Sequence, residues 1–183
     1  MTAVATTAAS WTIDSAHSHV EFAVRHMMVA TAKGRFTDVK GSVEFDGTDL
    51  STASIDVEIP IVSINTSNEQ RDAHLKSPDF FDAANFPSLS FKSKGITGDV
   101  DGEFEIVGEL TIRDVTKPIT LKAEAHGTVR DPWGLERAGF SASGTINRHD
   151  YGLNWNAALE TGGLVVAADV KITLEIEITK PGS

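Results

Sequence analysis

Period-two alternation of apolar and polar residues runs through nearly the whole chain, and no other feature restricts its folds as strongly. Val20, Phe22 and Val24 begin the pattern, and Val39, Val43 and Phe45 continue it. Ile55, Val57, Ile59 and Ile61 alternate with Asp56 and Glu58, followed by Leu89 and Phe91. Phe104, Ile106, Leu110 and Ile112 share one parity against Glu103, Glu105 and Glu109. Ile119 and Leu121 alternate with Thr120 and Lys122, Phe140 and Ile146 share a parity, and Val170, Ile172, Leu174, Ile176 and Ile178 close the series. Successive side chains on a strand point to opposite faces, so the pattern describes about eight strands, each with one apolar and one solvated face. Asp46-Gly47, Gly98-Asp99 and Asp101-Gly102 are hairpin punctuation, which makes the pairing mostly antiparallel.

One segment breaks the rule. NTSNEQRDAHLKSP, residues 65 to 78, has no period-two pattern, opens on cap-forming Asn65, Thr66 and Ser67, and stops before Pro78, which predicts a helix over 67–76. Asn65-Thr66-Ser67 is formally a glycosylation sequon, but a helix cap accounts for it. No repeat or linker divides the 183 residues, so a single domain over 11–183 is expected, preceded by a flexible tail at 1–10 of small and polar residues.

The formal charge of −10 argues against nucleic acid as a partner. The chain has no cysteine, which excludes disulfides, thiolate metal sites and a cysteine nucleophile. The N-terminus lacks a basic signal region and no later run is long enough for an integral membrane segment, so a cytoplasmic location is the expectation. Self-association as a homodimer is left open.

A sheet with one apolar face suits a sandwich or a closed barrel equally well. Ala123, Ala125, Ala138, Ala142 and Gly144 share parity with large apolar residues on their strands. Such small residues either leave an interior under-filled, ready to hold a ligand, or relieve crowding opposite larger neighbours.

There is no GxGxxG, GxxxxGK[ST] or HExxH motif, and GFSASG at 139–144 has the wrong spacing for a nucleophile elbow. No catalytic residue and no metal site is assigned. Half of the six histidines fall in IDSAHSHVEFAVRHM, residues 13 to 27. Strand alternation sends His17, His19 and Glu21 to the solvated face, while His26 follows Val20, Phe22 and Val24 inward. Two histidines spaced i, i+2 need a third ligand to hold a metal, and only His126 and His149 are remote candidates.

IDSAHSHVEFAVRHM with KGRF, SINTSNEQRDAHLKSPDFFDAANFPSLSF, GELTIRDVTKPITL and INRHDYG closely resemble, in order and spacing, the YceI-like, polyisoprenoid-binding family from Trp11 to Ile178. The chain departs from the usual pattern at Asp114, where members often carry Gly. The resemblance implies an all-β fold: an extended eight-stranded antiparallel lipocalin-like β-barrel with one short helical insertion. It also implies a pore that binds, stores or transports a polyisoprenoid or another long-chain lipid, with no cofactor beyond that ligand and no enzymatic activity. The rival readings are an enzyme using polar residues at the pore mouth and a structural or oligomeric barrel without ligand.

By alternation the pore wall is expected at Phe22, Val24, Phe36, Ile59, Phe91, Leu121, Phe140, Ala142 and Leu174. His26 and Arg148 are expected to meet a polar head group, with Asp150 orienting Arg148.

Overall fold

The computed structural model describes residues 8–182. Its strands are β1 (Ala9–Ile13), β2 (His19–His26), β3 (Ala30–Phe36), β4 (Lys40–Phe45), β5 (Ser54–Pro60), β6 (Ile64–Asn65), β7 (Ser88–Gly98), β8 (Glu103–Ile112), β9 (Val115–Arg130), β10 (Leu135–Asn147) and β11 (Val166–Pro181), with helix α1 (Glu69–Lys76) between β6 and β7. Every pairing between these strands is antiparallel.

The order β1-β4-β5-β7-β8-β9-β10-β11 closes through β1–β11 pairing into an 8-stranded barrel. Closure decides between sandwich and barrel, and it leaves the ring without an edge. Strands β2, β3 and β6 extend from β11, and β6 follows β5 through the turn Ile61–Ser63, so this branch walls the upper part of the barrel. The division follows from β11, which pairs with β2 over Val166–Glu175 and with β1 at Ile178 and Thr179.

The changeover between these partners happens at Ser15–His17, a 3-10 turn capped by the Asp14 side chain. Ser18 is buried there; its hydroxyl accepts from Glu177 N–H (3.0 Å) and donates to Glu177 C=O (3.3 Å). A side-chain hydroxyl thus serves β11 backbone groups at the point where the neighbouring strand changes. His17 consequently lies in a turn, not on a strand face shared with His19. Ala9 and Ser10 also differ from expectation: they pair with Phe45 and Glu44 in β1, and residues 1–7 of the expected tail lie outside the described residues.

Two glycines have a packing role that alternation conceals. A Cβ at Gly34 would overlap the Phe22 ring, and one at Gly108 the Phe91 ring, each glycine facing an inward aromatic on the next strand. The core runs the length of the barrel, with Val39 and Ile61 its most enclosed side chains. Full burial of each such aliphatic stabilises by about 1.5–3 kcal/mol.

Helix α1 begins two residues later than predicted, with Asn68 as its cap: Asn68 Oδ1 accepts from Arg71 N–H (2.9 Å). It is tied to the barrel through Thr66, whose hydroxyl donates to Asp72 Oδ1 (2.5 Å) and accepts from Arg71 Nε (2.8 Å).

Candidate functional site

The interior is not filled. A cavity of about 350 Å³ lies between the inward faces of the strands and reaches up to α1 and the segment 153–166. Its wall is overwhelmingly apolar. Phe22, Val24, His26, Phe36, Ile59, Phe91, Leu121, Phe140, Ala142, Arg148 and Leu174, the residues singled out in the sequence, all stand on it. Strand parity places them together, because every second residue of a closed sheet must face the same enclosed space.

Among the five small residues expected inside, only Ala142 lines the cavity. Leu121 lies over Gly144, where a Cβ would crowd its Cδ2, and Ala123 is packed in the core. Most of these residues therefore relieve crowding.

The charged part of the wall is uniform in sign. Arg25, Lys33, Arg71 and Arg148, together with His26 and His74, line the cavity, and among the described residues no carboxylate does. Among the described residues none of the four Arg and Lys side chains is in an ion pair, although the chain as a whole carries −10. Arg25, Lys33 and Arg71 are exposed at the rim, whereas Arg148 is 4% exposed.

Arg148 differs from the expected head-group ligand in one decisive respect. Its Nε donates to Ala167 O (2.8 Å), its Nη1 to Leu153 O (2.6 Å) and Trp155 O (2.9 Å), and its Nη2 to Val166 O (3.2 Å). A guanidinium has five N–H donors, so these bonds leave one. Asp150 does not orient it: Asp150 is exposed and makes no hydrogen bond to Arg148. Arg148 is a clamp that fastens the segment after Tyr151 to the start of β11, and burial draws its pKa down from the usual guanidinium range.

The rest of the Arg148–Gly152 element serves the same turn. Tyr151 is buried, which pushes its hydroxyl up to about 12 with a further contribution from Asp150, and Gly152 takes the left-handed conformation (φ 76°) that ends the turn.

Residues that alternation could not find complete the mouth. His74 of α1 stacks edge-on against Phe80 (5.1 Å) and Trp155 (4.8 Å), and its Nε2 meets Asp79 Oδ2 at 2.8 Å. Leu75, Phe80, Phe81 and Trp155 join the wall from α1 and irregular segments, where no strand periodicity exists.

The histidine-rich stretch is dispersed. His26 faces the cavity, and His19 lies 3.6 Å from Glu21. His17 Nδ1 is 2.9 Å from Asp14 Oδ2 and 3.8 Å from Glu177 Oε1, and these groups are close enough together to hold a metal. A cation already occupies the acidic side of this trio: Arg137 Nη1 donates to Asp14 Oδ2 (2.9 Å) and Glu177 Oε1 (2.5 Å), while its Nε donates to Asp131 Oδ2 (2.8 Å). His126 contacts Ser141 and His149 contacts Asn154, so neither stands as a third ligand beside His17 and His19.

The model of the YceI-like domain matches residues 11–178. The chain belongs to the YceI-like family. A UPF0312 protein of Staphylococcus aureus strain N315 is 42% identical over 171 residues, covering 93% of this chain and 97% of that protein. The YCEI protein of Campylobacter jejuni, known from a crystal structure, is 32% identical with a TM-score of 0.73, over 85% of this chain and 89% of that one. A domain from Saccharophagus degradans described as polyisoprenoid-binding shares the fold at a TM-score of 0.70 and 16% identity, covering 93% and 98%. Within this YceI-like chain, no helix of the described residues is long and apolar enough to cross a membrane.

Proposed function

We propose that this YceI-like chain binds, stores or transports a long-chain lipid in its barrel, a polyisoprenoid or a derivative, with an anionic end held at the rim. The single observation that carries this reading is the apolar cavity whose charged wall residues are all basic. Burial of methylenes contributes about 0.8 kcal/mol each, which is ample for the chain, while an anionic end needs partners because burying it alone would be prohibitive. Lys33 and Arg71 at the rim supply those partners, and the buried charge of Arg148 biases the cavity in the same direction. No reaction is required, and the protein acts as a carrier or store.

The test compares a polyprenyl phosphate with the corresponding neutral alcohol. In a Lys33→Gln, Arg71→Gln double variant the phosphate should lose at least tenfold in affinity and the alcohol less than threefold. Equal losses for both would refute the head-group assignment, and failure of the unaltered protein to bind either would refute the carrier reading.

A further inference from the structure

The hairpin between β2 and β3 ends in Met27, Met28 and Val29, which are 45%, 62% and 82% exposed. Leu164, 50% exposed, stands beside them: Met28 Sδ packs against Gly163, and Met27 N–H donates to Val165 O (2.8 Å). Four large apolar side chains thus form one projecting patch. None of them lines the cavity, but the patch adjoins it, because His26 and Val165, the residues flanking it in sequence, are both on the cavity wall.

The turn is held in place despite its sequence. Met27 and Met28 both have positive φ, 50° and 61°, a conformation that hairpin turns usually assign to Asn and Gly. Arg25 braces it, with Nη2 donating to Met28 O (3.3 Å) and Nη1 to Thr31 Oγ1 (3.5 Å). Arg25 and Lys33 flank the patch with no ion-pair partner among the described residues, whereas the carboxylate of Glu160 lies on the neighbouring turn closed by the Ala158–Leu164 bridge. Apolar side chains at the tip with basic groups behind them match the layering of a bilayer surface, in which acyl chains lie beneath phosphates.

We propose that this tip, Met27, Met28, Val29 and Leu164, docks the barrel mouth onto a phospholipid bilayer, inserting its apolar side chains while Arg25 and Lys33 meet lipid phosphates. The inference rests on the cargo reading in that docking would place the cavity rim against the membrane from which a lipid enters. The opposite end supplies the control. Strand β11 runs from Val166 beside the tip to Pro181 beside Leu135, a distance of about 50 Å at strand rise; that far hairpin exposes Val129 (64%) and Trp133 (82%) but lies away from the cavity wall, so a label at 129 reports whether exposed apolar side chains alone suffice for docking.

Because the chain has no cysteine, single Met28→Cys and Val129→Cys variants can each carry one environment-sensitive nitrobenzoxadiazole label. With phosphatidylcholine vesicles, the label at 28 should shift blue and brighten severalfold, and the label at 129 should stay unchanged. A Met28→Asp, Leu164→Asp variant, its fold checked by circular dichroism, should need at least tenfold more lipid to float with the vesicles while taking up polyprenol from vesicle-free solution as before. No response at 28, or an equal response at 129, would overturn the proposal. Docking by a protein that takes up no polyprenol would support it and sink the cargo reading alone.

Discussion

Replacing Arg148 by Met tests whether this residue is a structural clamp. The change keeps much of the apolar stem and removes the donors to Leu153, Trp155, Val166 and Ala167 carbonyls. A hydrogen bond to a charged group contributes about 1.5–3 kcal/mol, which sets an upper bound of about 6–12 kcal/mol for four. Two effects reduce it: the cost of burying a guanidinium disappears, and water entering from the cavity mouth can reach some of the carbonyls. The expected net loss is about 3–5 kcal/mol, in the range for leaving buried polar groups unmatched. For a domain of this size that corresponds to a fall in Tm of about 6–20 °C. Arg148→Lys should recover less than half of it, since one ammonium cannot span carbonyls on both segments. Urea denaturation followed by circular dichroism gives the number, with an unchanged m-value as the check that the denatured state is unaltered. A loss below about 1 kcal/mol, accompanied by selective weakening of the anionic ligand, would refute the clamp and restore Arg148 as a head-group ligand.

Other consequences can be checked in parallel. Ala142→Trp should fill the cavity and weaken lipid binding at least tenfold while the protein stays folded; a variant that unfolds would mean the space is packed core, where such overpacking costs about 1–3 kcal/mol or more. Ile61→Ala should cost about 2–5 kcal/mol in urea denaturation, because this side chain is 1% exposed. The hydrogen bond that the His17 ring donates to Asp14 raises the pKa of His17, so its contribution to stability is complete below the ordinary histidine value of 6.5 and is lost as pH rises through the folded value; an NMR titration should show that elevation, and Asp14→Asn should abolish it. Elemental analysis should find no stoichiometric zinc at Asp14, His17 and Glu177, where Arg137 already supplies the positive charge; zinc lost on His17→Ala would contradict that.

What could be read from the sequence divides along a physical line. Wherever the backbone is a strand, parity alone assigns each side chain to the inside or the outside, and so it puts Phe22, Ile59, Phe91, Leu121, Phe140 and Leu174 on a common wall whatever their partners. Parity does not report volume. The neighbours that fill the space beside Ala123 and Gly144 lie on other strands or far along the chain, so cavity and close packing looked alike. Nor does parity extend to α1 or the segment 153–165, and the mouth residues Arg71, His74 and Trp155 carry no periodic signal. Arg148 shows a different limit. Its motif pointed to a polar role, but its partners are backbone carbonyls, which have no signature in side-chain sequence.

The most direct test of the central claim is native mass spectrometry of the protein purified from cells without detergent. A lipid-carrying barrel should show a mass above the apo value by that of one long-chain lipid, released by organic solvent and reduced in the Ala142→Trp variant. A clean apo mass, together with no uptake of added polyprenyl phosphate or polyprenol, would contradict it.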